Sequence, residues 1–335
     1  MESGTWWYAA VAAEAPDSFH GRIRKRMRNG ALGAVLLLAV VYAGLVLTAT
    51  GQRWENTVTA GRVPDGRLSA DQVAHWIPYE IAVSTLGLAL LLLATVGILR
   101  KRYKPTVAAL GVAIASTALA ELLQRYVLHR PDLVGAPGHL LDGGFPSGHT
   151  TLAMSATLGF ALVVPHRLRG IAVGVCALWA TALGYYTLAA GWHRPADLIG
   201  ADLLVLAMVC GTVALLARKR RVRPAPRRRA PLRTALVTTP VVLGVLAGLG
   251  AGVLLLSRSL GVPLPVDPSI ARLAYESGQL LAAGTGLATA LLLLALLRHV
   301  DFDDTAVQHR RIPEESDVED EITGPFPVEH DHEIS

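Results

Sequence analysis

Eight long apolar runs constrain the fold of this chain more than any other feature of its sequence. A helix that crosses the hydrocarbon core of a bilayer needs about 20 mostly apolar residues, and runs of this kind recur along the chain. Because backbone polar groups find no water inside lipid, each run is expected to be helical. The sequence therefore predicts an all-α, polytopic membrane bundle of about eight transmembrane helices, near residues 31–50, 77–99, 105–123, 149–165, 171–190, 196–217, 234–256 and 280–297.

Composition excludes an ordinary soluble protein. Hydrophobic residues make up 52% of the 335 residues, charged residues only 17%, and the mean hydropathy is +0.42. Such a chain is too apolar for a water-facing surface. Cys176 and Cys210 both fall inside predicted spans, which favours packing rather than a disulfide. Residues 1–30 lack the apolar core of a signal peptide, so the first span is expected to act as an uncleaved anchor.

Lysine and arginine concentrate in alternate connections between the predicted spans, which sets an expected orientation. These basic segments are the one before the first span and residues 100–104, 165–170 and 218–233. By parity they lie on one side, and the positive-inside rule makes that side cytoplasmic, together with both termini. The connections expected outside are residues 51–76, 124–148, 191–195 and 257–279.

The same features divide the chain into regions. A cytoplasmic N-terminal segment (1–30) precedes a membrane domain (31–217), a basic linker (218–233), two further transmembrane helices (234–298) and an acidic tail (299–335). The linker is expected to contact anionic lipid headgroups. It contains no aromatic residues and no known nucleic-acid-binding motif, so nucleic acid is not an expected partner. The tail has the composition of a disordered segment.

Two polar fragments stand at outer ends of predicted spans, GFPSGHTT (144–151) and GWHRPADL (191–198). If a helix begins at the second fragment, His193 and Asp197 share one face, and Pro195 suits its first turn. The first fragment places His149 at the start of another helix. Helix N-termini attract anions. Two such ends, each with a histidine, therefore predict an outward-facing site for an anion such as phosphate.

A third outer fragment contains Arg130 followed by Pro131. The residue before proline is biased toward extended backbone, which leaves the guanidinium available for bidentate contact with phosphate oxygens. Arg125, at the end of the third span, is a second candidate cation.

Together these fragments resemble a known family signature. RP at 130–131 (within 125–131), PSGH at 146–149 and HxxxD at 193–197 are similar to the three motifs of the type 2 phosphatidic acid phosphatase superfamily, which includes vanadium haloperoxidases. The resemblance covers roughly residues 77–217, and PSGH is its most specific element. It implies a six-helix phosphatase-like core within the predicted bundle.

The resemblance also implies roles for individual residues. His193 would be the nucleophile that forms a phosphohistidine, Asp197 would orient it, and His149 would protonate the leaving alkoxide. The residues expected to hold the phosphate oxygens are Arg130, Ser147, Gly148, Arg125 and Arg194. This scheme requires no metal and no cofactor.

The chain departs from the family pattern at two motifs. The lysine that begins the first motif is replaced by Leu123, and the Ser-Arg pair of the third motif by Tyr186 and Thr187. Loss of one such phosphate clamp costs about 100- to 1000-fold in rate. Arg125 and Arg194 are the nearest replacements.

Several ionisable or aromatic residues lie near the spans without a motif. Glu80, Glu121 and Asp202 fall within or beside spans, where ionisable groups are costly. Glu121 and Asp202 are expected to brace the arginines of the site, and Trp192 to serve as an interfacial anchor.

The resulting functional prediction is an integral-membrane lipid phosphate phosphatase. Its substrate would be a phosphomonoester or diphosphate of the phosphatidate, phosphatidylglycerophosphate or polyprenyl phosphate class, embedded among membrane lipids. Irregular outer loops at 51–76 and 124–145 would contact the lipid headgroup. Their sequence does not indicate which headgroup they bind.

Three alternatives stay open at this point. A phosphotransferase would pass the phosphoryl group to a lipid or sugar hydroxyl. A non-catalytic relative would bind or transport phospholipids. A zinc hydrolase would draw on His129, His139, His149 and His193, although these lack a close-spaced ligand pair such as HExxH.

Overall fold

The structure, a computed structural model, describes residues 16–62, 79–135, 144–225, 231–260 and 267–302. In these ranges the chain forms nine α-helices and two short strands, so the predicted all-α fold class is confirmed. The helices are α1 (Pro16–Val41), α2 (Ala49–Ala60), α3 (Tyr79–Leu99), α4 (Tyr103–Leu122), α5 (Gly148–Val163), α6 (His166–Ala189), α7 (Pro195–Arg218), α8 (Pro231–Ser259) and α9 (Pro268–Leu296). Single π-helical turns, Tyr42–Val46 and Leu123–Val127, follow α1 and α4. The tail beyond residue 302 lies outside the described residues.

The helices are those of a multi-pass membrane protein. By length and composition, six segments of the described chain can cross a membrane: Ser18–Val46, Tyr103–Val127, His166–Ala189, Pro195–Arg218, Thr238–Ser259 and Pro268–Leu296. A shorter apolar helix, Val83–Leu99, lies at the position of a seventh predicted span. Helix α5, which has 16 residues, lies at the position of the eighth. The first predicted span, 31–50, is displaced, because the helix starts earlier and is interrupted after Val46.

Helices α5 and α7 form the centre of the bundle. Nearly every residue of α5 from Thr150 to Val163 is buried. Helix α7 contacts α1, α4, α5 and α9. The outer helices instead expose large apolar side chains, including Leu36, Leu91, Ile114 and Leu246. Apolar surface on this scale suits contact with lipid rather than water.

The basic connections meet at one end of the bundle. His20 Nε2 lies 3.1 Å from the carbonyl oxygen of Val222. Arg102 and Arg169 each lie 3.5 Å from Oδ1 of Asp301, whose backbone pairs with that of Arg223. Four segments that the sequence assigns to one side therefore adjoin each other, and the membrane side that they face stays a prediction.

A two-stranded sheet closes this basic end. Strand β1 (Arg223–Pro224) pairs antiparallel with β2 (Val300–Asp301). Arg169 Nη1 donates to the carbonyl of Val300 at 2.7 Å, and its guanidinium lies 5.5 Å from the Phe302 ring centroid. The packed structure thus continues through residues 300–302, which the sequence predicts to belong to the tail.

At the opposite end, part of the predicted irregular loop 51–76 is helical. Helix α2 begins after Thr48, whose hydroxyl accepts the amide hydrogen of Gly51 at 3.0 Å, as expected of an N-cap residue. Trp54 and Val58 are each 1% exposed and pack beside α9. Burial of this face carries Glu55, which lies next to Trp54, into the interior.

Candidate active site

The PSGH and HRPAD fragments are joined directly at the starts of two helices. Ser147 caps α5, because its hydroxyl accepts the amide hydrogen of Thr150 at 3.2 Å. Its own backbone N–H donates to the carbonyl of Asp197, in the first turn of α7, at 2.9 Å. The two motifs that the sequence places on one face therefore share a backbone hydrogen bond.

This junction brings the two predicted catalytic histidines into contact. Nδ1 of His149 lies 3.4 Å from Nε2 of His193, and the ring centroids are 5.6 Å apart. The His193 side chain is only 10% exposed. The two imidazoles thus face each other in a largely enclosed position.

The opposite edge of His193 faces a buried carboxylate. Oδ2 of Asp197 lies 3.8 Å from Nδ1 of His193, which is within ion-pair range but too long for a hydrogen bond. The same oxygen accepts the backbone N–H of Arg194 at 2.9 Å. A Cβ atom on Gly144 would stand 2.9 Å from that oxygen and 3.4 Å from His193 Nδ1. Asp197 and Gly144 therefore fill the Nδ1 side, and Nε2 is the edge that faces His149.

Arg130 is held in a fully enclosed ion pair with a residue from α2. Its Nη2 donates to Oε2 of Glu55 at 2.6 Å, and the two side chains are 3% and 0% exposed. The other carboxylate oxygen of Glu55 accepts the N–H of Ala196, in the first turn of α7, at 3.1 Å. Burial raises the pKa of the Glu55 carboxyl, and Arg130 acts in the opposite direction. Arg130 also interacts electrostatically with Asp197, which places it at the same site.

A second α2 side chain fixes the backbone around Arg130. Gln52 donates through Nε2 to the carbonyl oxygens of Pro131, at 2.6 Å, and Val46, at 2.8 Å. Its Oε1 accepts the N–H of Leu133 at 3.2 Å. The RP motif is therefore attached to α2 through the Arg130 side chain and through the backbone of Pro131 and Leu133.

Arg125 lies beside the start of α5 but is exposed. It pairs with Glu121 at 2.8 Å, so Glu121 braces an arginine as expected. Oε1 of Glu121 lies 3.4 Å from the place where a Cβ on Gly148 would stand. Asp202 behaves differently, since it pairs with no arginine in the described ranges and instead lines a small cavity. The expectation that Asp202 braces an arginine fails there.

Aromatic packing occupies the region of the missing third-motif residues. Tyr186 and Thr187 are both buried, and the Tyr186 and Trp192 rings meet edge to face at 5.2 Å. Trp192 also lies 6.0 Å from the His149 ring. Trp192, which the sequence predicts to be an interfacial anchor, thus contributes to the wall of the site.

Sequence reasoning missed Glu55. Reading residues 49–60 as a helix capped by Thr48 would have placed Trp54, Glu55 and Val58 on one face. No local pattern, however, indicates that its partners are Arg130 and the start of α7.

The residues considered for zinc do not assemble in the described ranges. No group of three or more His, Cys, Asp or Glu side chains there is arranged to hold a metal ion. His139 lies outside the described residues.

The comparison with protein families agrees with the motif geometry. The family model of the PAP2 superfamily matches residues 81–223, a segment that includes Arg130, Ser147, His149, His193 and Asp197. Helices α1, α2, α8 and α9 lie outside it. No curated protein and no solved structure matches the chain. The segment that carries the candidate site is therefore similar to the PAP2 superfamily, the family that its motifs resemble, and this match supports a phosphatase for phosphorylated substrates.

Proposed function

We propose that the protein is an integral-membrane lipid phosphate phosphatase that works through a phosphohistidine. The observation that carries this proposal is the contact between His149 and His193, at 3.4 Å, beside the buried Asp197. The apolar surface of the bundle supports a substrate whose tail stays in the bilayer. Phosphatidate, phosphatidylglycerophosphate and polyprenyl phosphates are the classes to test.

In the first step, Nε2 of His193 attacks phosphorus and the ester P–O bond breaks. The leaving alkoxide takes a proton from His149, whose imidazole faces the same space. Asp197, next to Nδ1 of His193, stabilises the positive charge that develops on that ring. The products of this step are the lipid alcohol and phosphohistidine 193.

In the second step, water attacks the phosphohistidine and the P–N bond breaks. His149, now without its proton, accepts one from the water as general base. Orthophosphate leaves, and both histidines return to their starting protonation states. The cycle consumes one water for each ester hydrolysed.

The phosphoryl group needs space that the unliganded contact does not provide. At 3.4 Å the two ring nitrogens are at van der Waals distance, and a phosphorus with its oxygens does not fit between them. Substrate binding must therefore separate the rings of His149 and His193. Since His193 is backed by Asp197 and Gly144, His149 is the ring that is expected to move.

Cationic and helix-terminal groups would hold the phosphate oxygens. Arg130 retains a buried Nη1 without a hydrogen-bond partner in the described ranges, and it is the first candidate for charge-assisted contact. Gly148 at the start of α5 is the second. Arg125 and Arg194 are further candidates, whereas Ser147 is fully buried and already serves as a cap.

Purified protein and its His193→Ala variant test the proposal. We expect the wild type to release orthophosphate from at least one of phosphatidate, phosphatidylglycerophosphate and polyprenyl diphosphate. The variant should lose at least about 1000-fold in rate, as expected on removal of a covalent nucleophile. Equal release of orthophosphate by both proteins would contradict the phosphohistidine mechanism.

Product analysis in the same assay separates the alternatives. A phosphotransferase would yield a phosphorylated acceptor instead of orthophosphate. A phospholipid-binding relative would release no phosphate, and its cellular function would survive His193→Ala.

A further inference from the structure

Glu55 lies outside the family-matched segment and yet touches two of its motifs. Its carboxylate is 0% exposed. One oxygen accepts from Nη2 of Arg130, in the first motif, at 2.6 Å. The other accepts the N–H of Ala196, three residues after the third-motif histidine, at 3.1 Å. A single side chain of α2 thus links the phosphate-binding candidate to the helix that follows His193.

Both groups that Glu55 contacts are ones that bind anions. The N-terminal turn of α7 carries partial positive charge, and the guanidinium of Arg130 carries a full one. Because Glu55 binds both groups at once, part of the hydrogen-bonding capacity of each is not available to the substrate. What Arg130 keeps is Nη1, which is buried and has no partner in the described ranges.

This arrangement fixes the direction of the remaining donor. A guanidinium is planar and its N–H groups have a fixed fork geometry. Once Nη2 is bound to Glu55 and Pro131 is attached to Gln52, the orientation of Nη1 is determined by these neighbours. A mobile arginine side chain would lose rotamer freedom on binding phosphate, and one held in this way has already lost it.

We propose that Glu55 is a positioning residue for phosphoryl transfer: it holds Arg130 in one orientation and couples it to the start of α7, next to His193. The inference rests on the proposed function, since it assigns Arg130 to the transferred phosphate. It also makes the activity of the family-matched segment depend on α2, a helix that this segment does not include.

The test compares Glu55→Gln with wild type in phosphate release and in inhibition by inorganic phosphate. Glutamine keeps the size of the side chain but removes its charge. We expect kcat to fall by about 10- to 100-fold, because losing an outer partner that orients a ligating side chain costs activity on this scale. Inhibition by phosphate should weaken much less than kcat falls, because the lost ordering of Arg130 is offset by removal of a negative charge near the phosphate site.

The split between these two readouts distinguishes positioning from simple structural damage. Damage to the fold would weaken catalysis and phosphate binding together. An unchanged kcat in Glu55→Gln, or a fall in kcat matched by an equal loss of phosphate inhibition, would overturn the proposal. Glu276→Gln is the matched control, because Glu276 forms an exposed pair with Arg272 in α9, and it should leave both values unchanged.

A double-mutant cycle shows whether Glu55 acts through Arg130. Arg130→Gln should lower kcat more than Glu55→Gln does, and the double variant should resemble Arg130→Gln alone. Multiplicative effects would contradict action through Arg130.

The same cycle measured in thermal unfolding separates this inference from the proposed function. If wild type hydrolyses none of the lipids, the proposed function fails, and with it the catalytic role of Glu55. Non-additive unfolding midpoints would then still report the Glu55–Arg130 pair, whereas additive midpoints would contradict the contact itself.

Discussion

At the scale of single residues, space around the histidine pair is more restricted than its motif suggests. Gly144 precedes PSGH by two residues, and a methyl group there would stand 2.9 Å from Asp197 Oδ2. Its φ is not in the left-handed region. Glycine is therefore required at this position because a side chain would not fit, and not because of the backbone conformation.

Gly144→Ala should therefore displace the Asp197 carboxylate and impair catalysis. A shift of about 1 Å in a catalytic constellation can cost on the order of 100-fold, and we expect a fall in kcat/KM of that order. Phosphate release from the preferred lipid measures it. Gly111→Ala in α4 is the control, since nothing lies within 4 Å of a Cβ there. A folded Gly144→Ala protein with wild-type kcat/KM would contradict this account.

Among the secondary-structure elements, α5 has to begin at a fixed residue. Ser147 is 0% exposed, accepts the N–H of Thr150 through its hydroxyl, and bonds to Asp197 through its backbone. The first turn of α5 sets the position of His149, so the cap and the catalytic geometry depend on each other.

Ser147→Ala should lower the free energy of unfolding by about 1 kcal/mol, the typical value of a helix N-cap. Thermal or denaturant unfolding measures the change. Ser257→Ala is the comparison, because that hydroxyl is exposed and bonds to the Leu254 carbonyl within its own helix. Full stability of Ser147→Ala together with a large loss of activity would indicate instead that the hydroxyl acts on phosphate directly.

The elements differ in how far their sequence predicts them. The eight long helices follow from apolar length, and the starts of α5 and α7 follow from Pro, Ser and His at their first turns. Helix α2 is short and polar, and its stability comes from burying Trp54 and Val58 against α9. The partners of Glu55 are equally remote in sequence, at residues 130 and 196. Contacts between such distant segments depend on the assembled bundle, which local patterns do not encode.

For the whole molecule, the prediction that remains to be tested is its orientation. Arg53 in α2 and Arg221 after α7 are both exposed and lie at opposite ends of the bundle. We expect Arg53→Cys to react with a membrane-impermeant maleimide in intact cells, and Arg221→Cys to react only after permeabilisation. Cys176 and Cys210 are replaced by alanine in both proteins. The reverse labelling pattern would place the site on the cytoplasmic side.

The basic end of the bundle provides a second test at this scale. Truncation after Arg298 removes the Val300 carbonyl and the Phe302 ring, and it leaves the buried guanidinium of Arg169 without these partners. Since an unpaired buried charge costs about 3 to 5 kcal/mol, the unfolding temperature should fall markedly. Truncation after Asp303 keeps both partners and should leave it near the wild-type value. Equal unfolding temperatures would show that the β1–β2 pair does not stabilise the bundle.

Pairing of β1 with β2 has a consequence for biogenesis. Strand β1 leaves the ribosome before α8 and α9, and its partner β2 follows them. The chain must therefore complete both hairpin helices in the bilayer before residue 300 can reach residue 224. A nascent chain that stalls in between would contain both histidines but would leave the guanidinium of Arg169 without the Val300 carbonyl and the Phe302 ring.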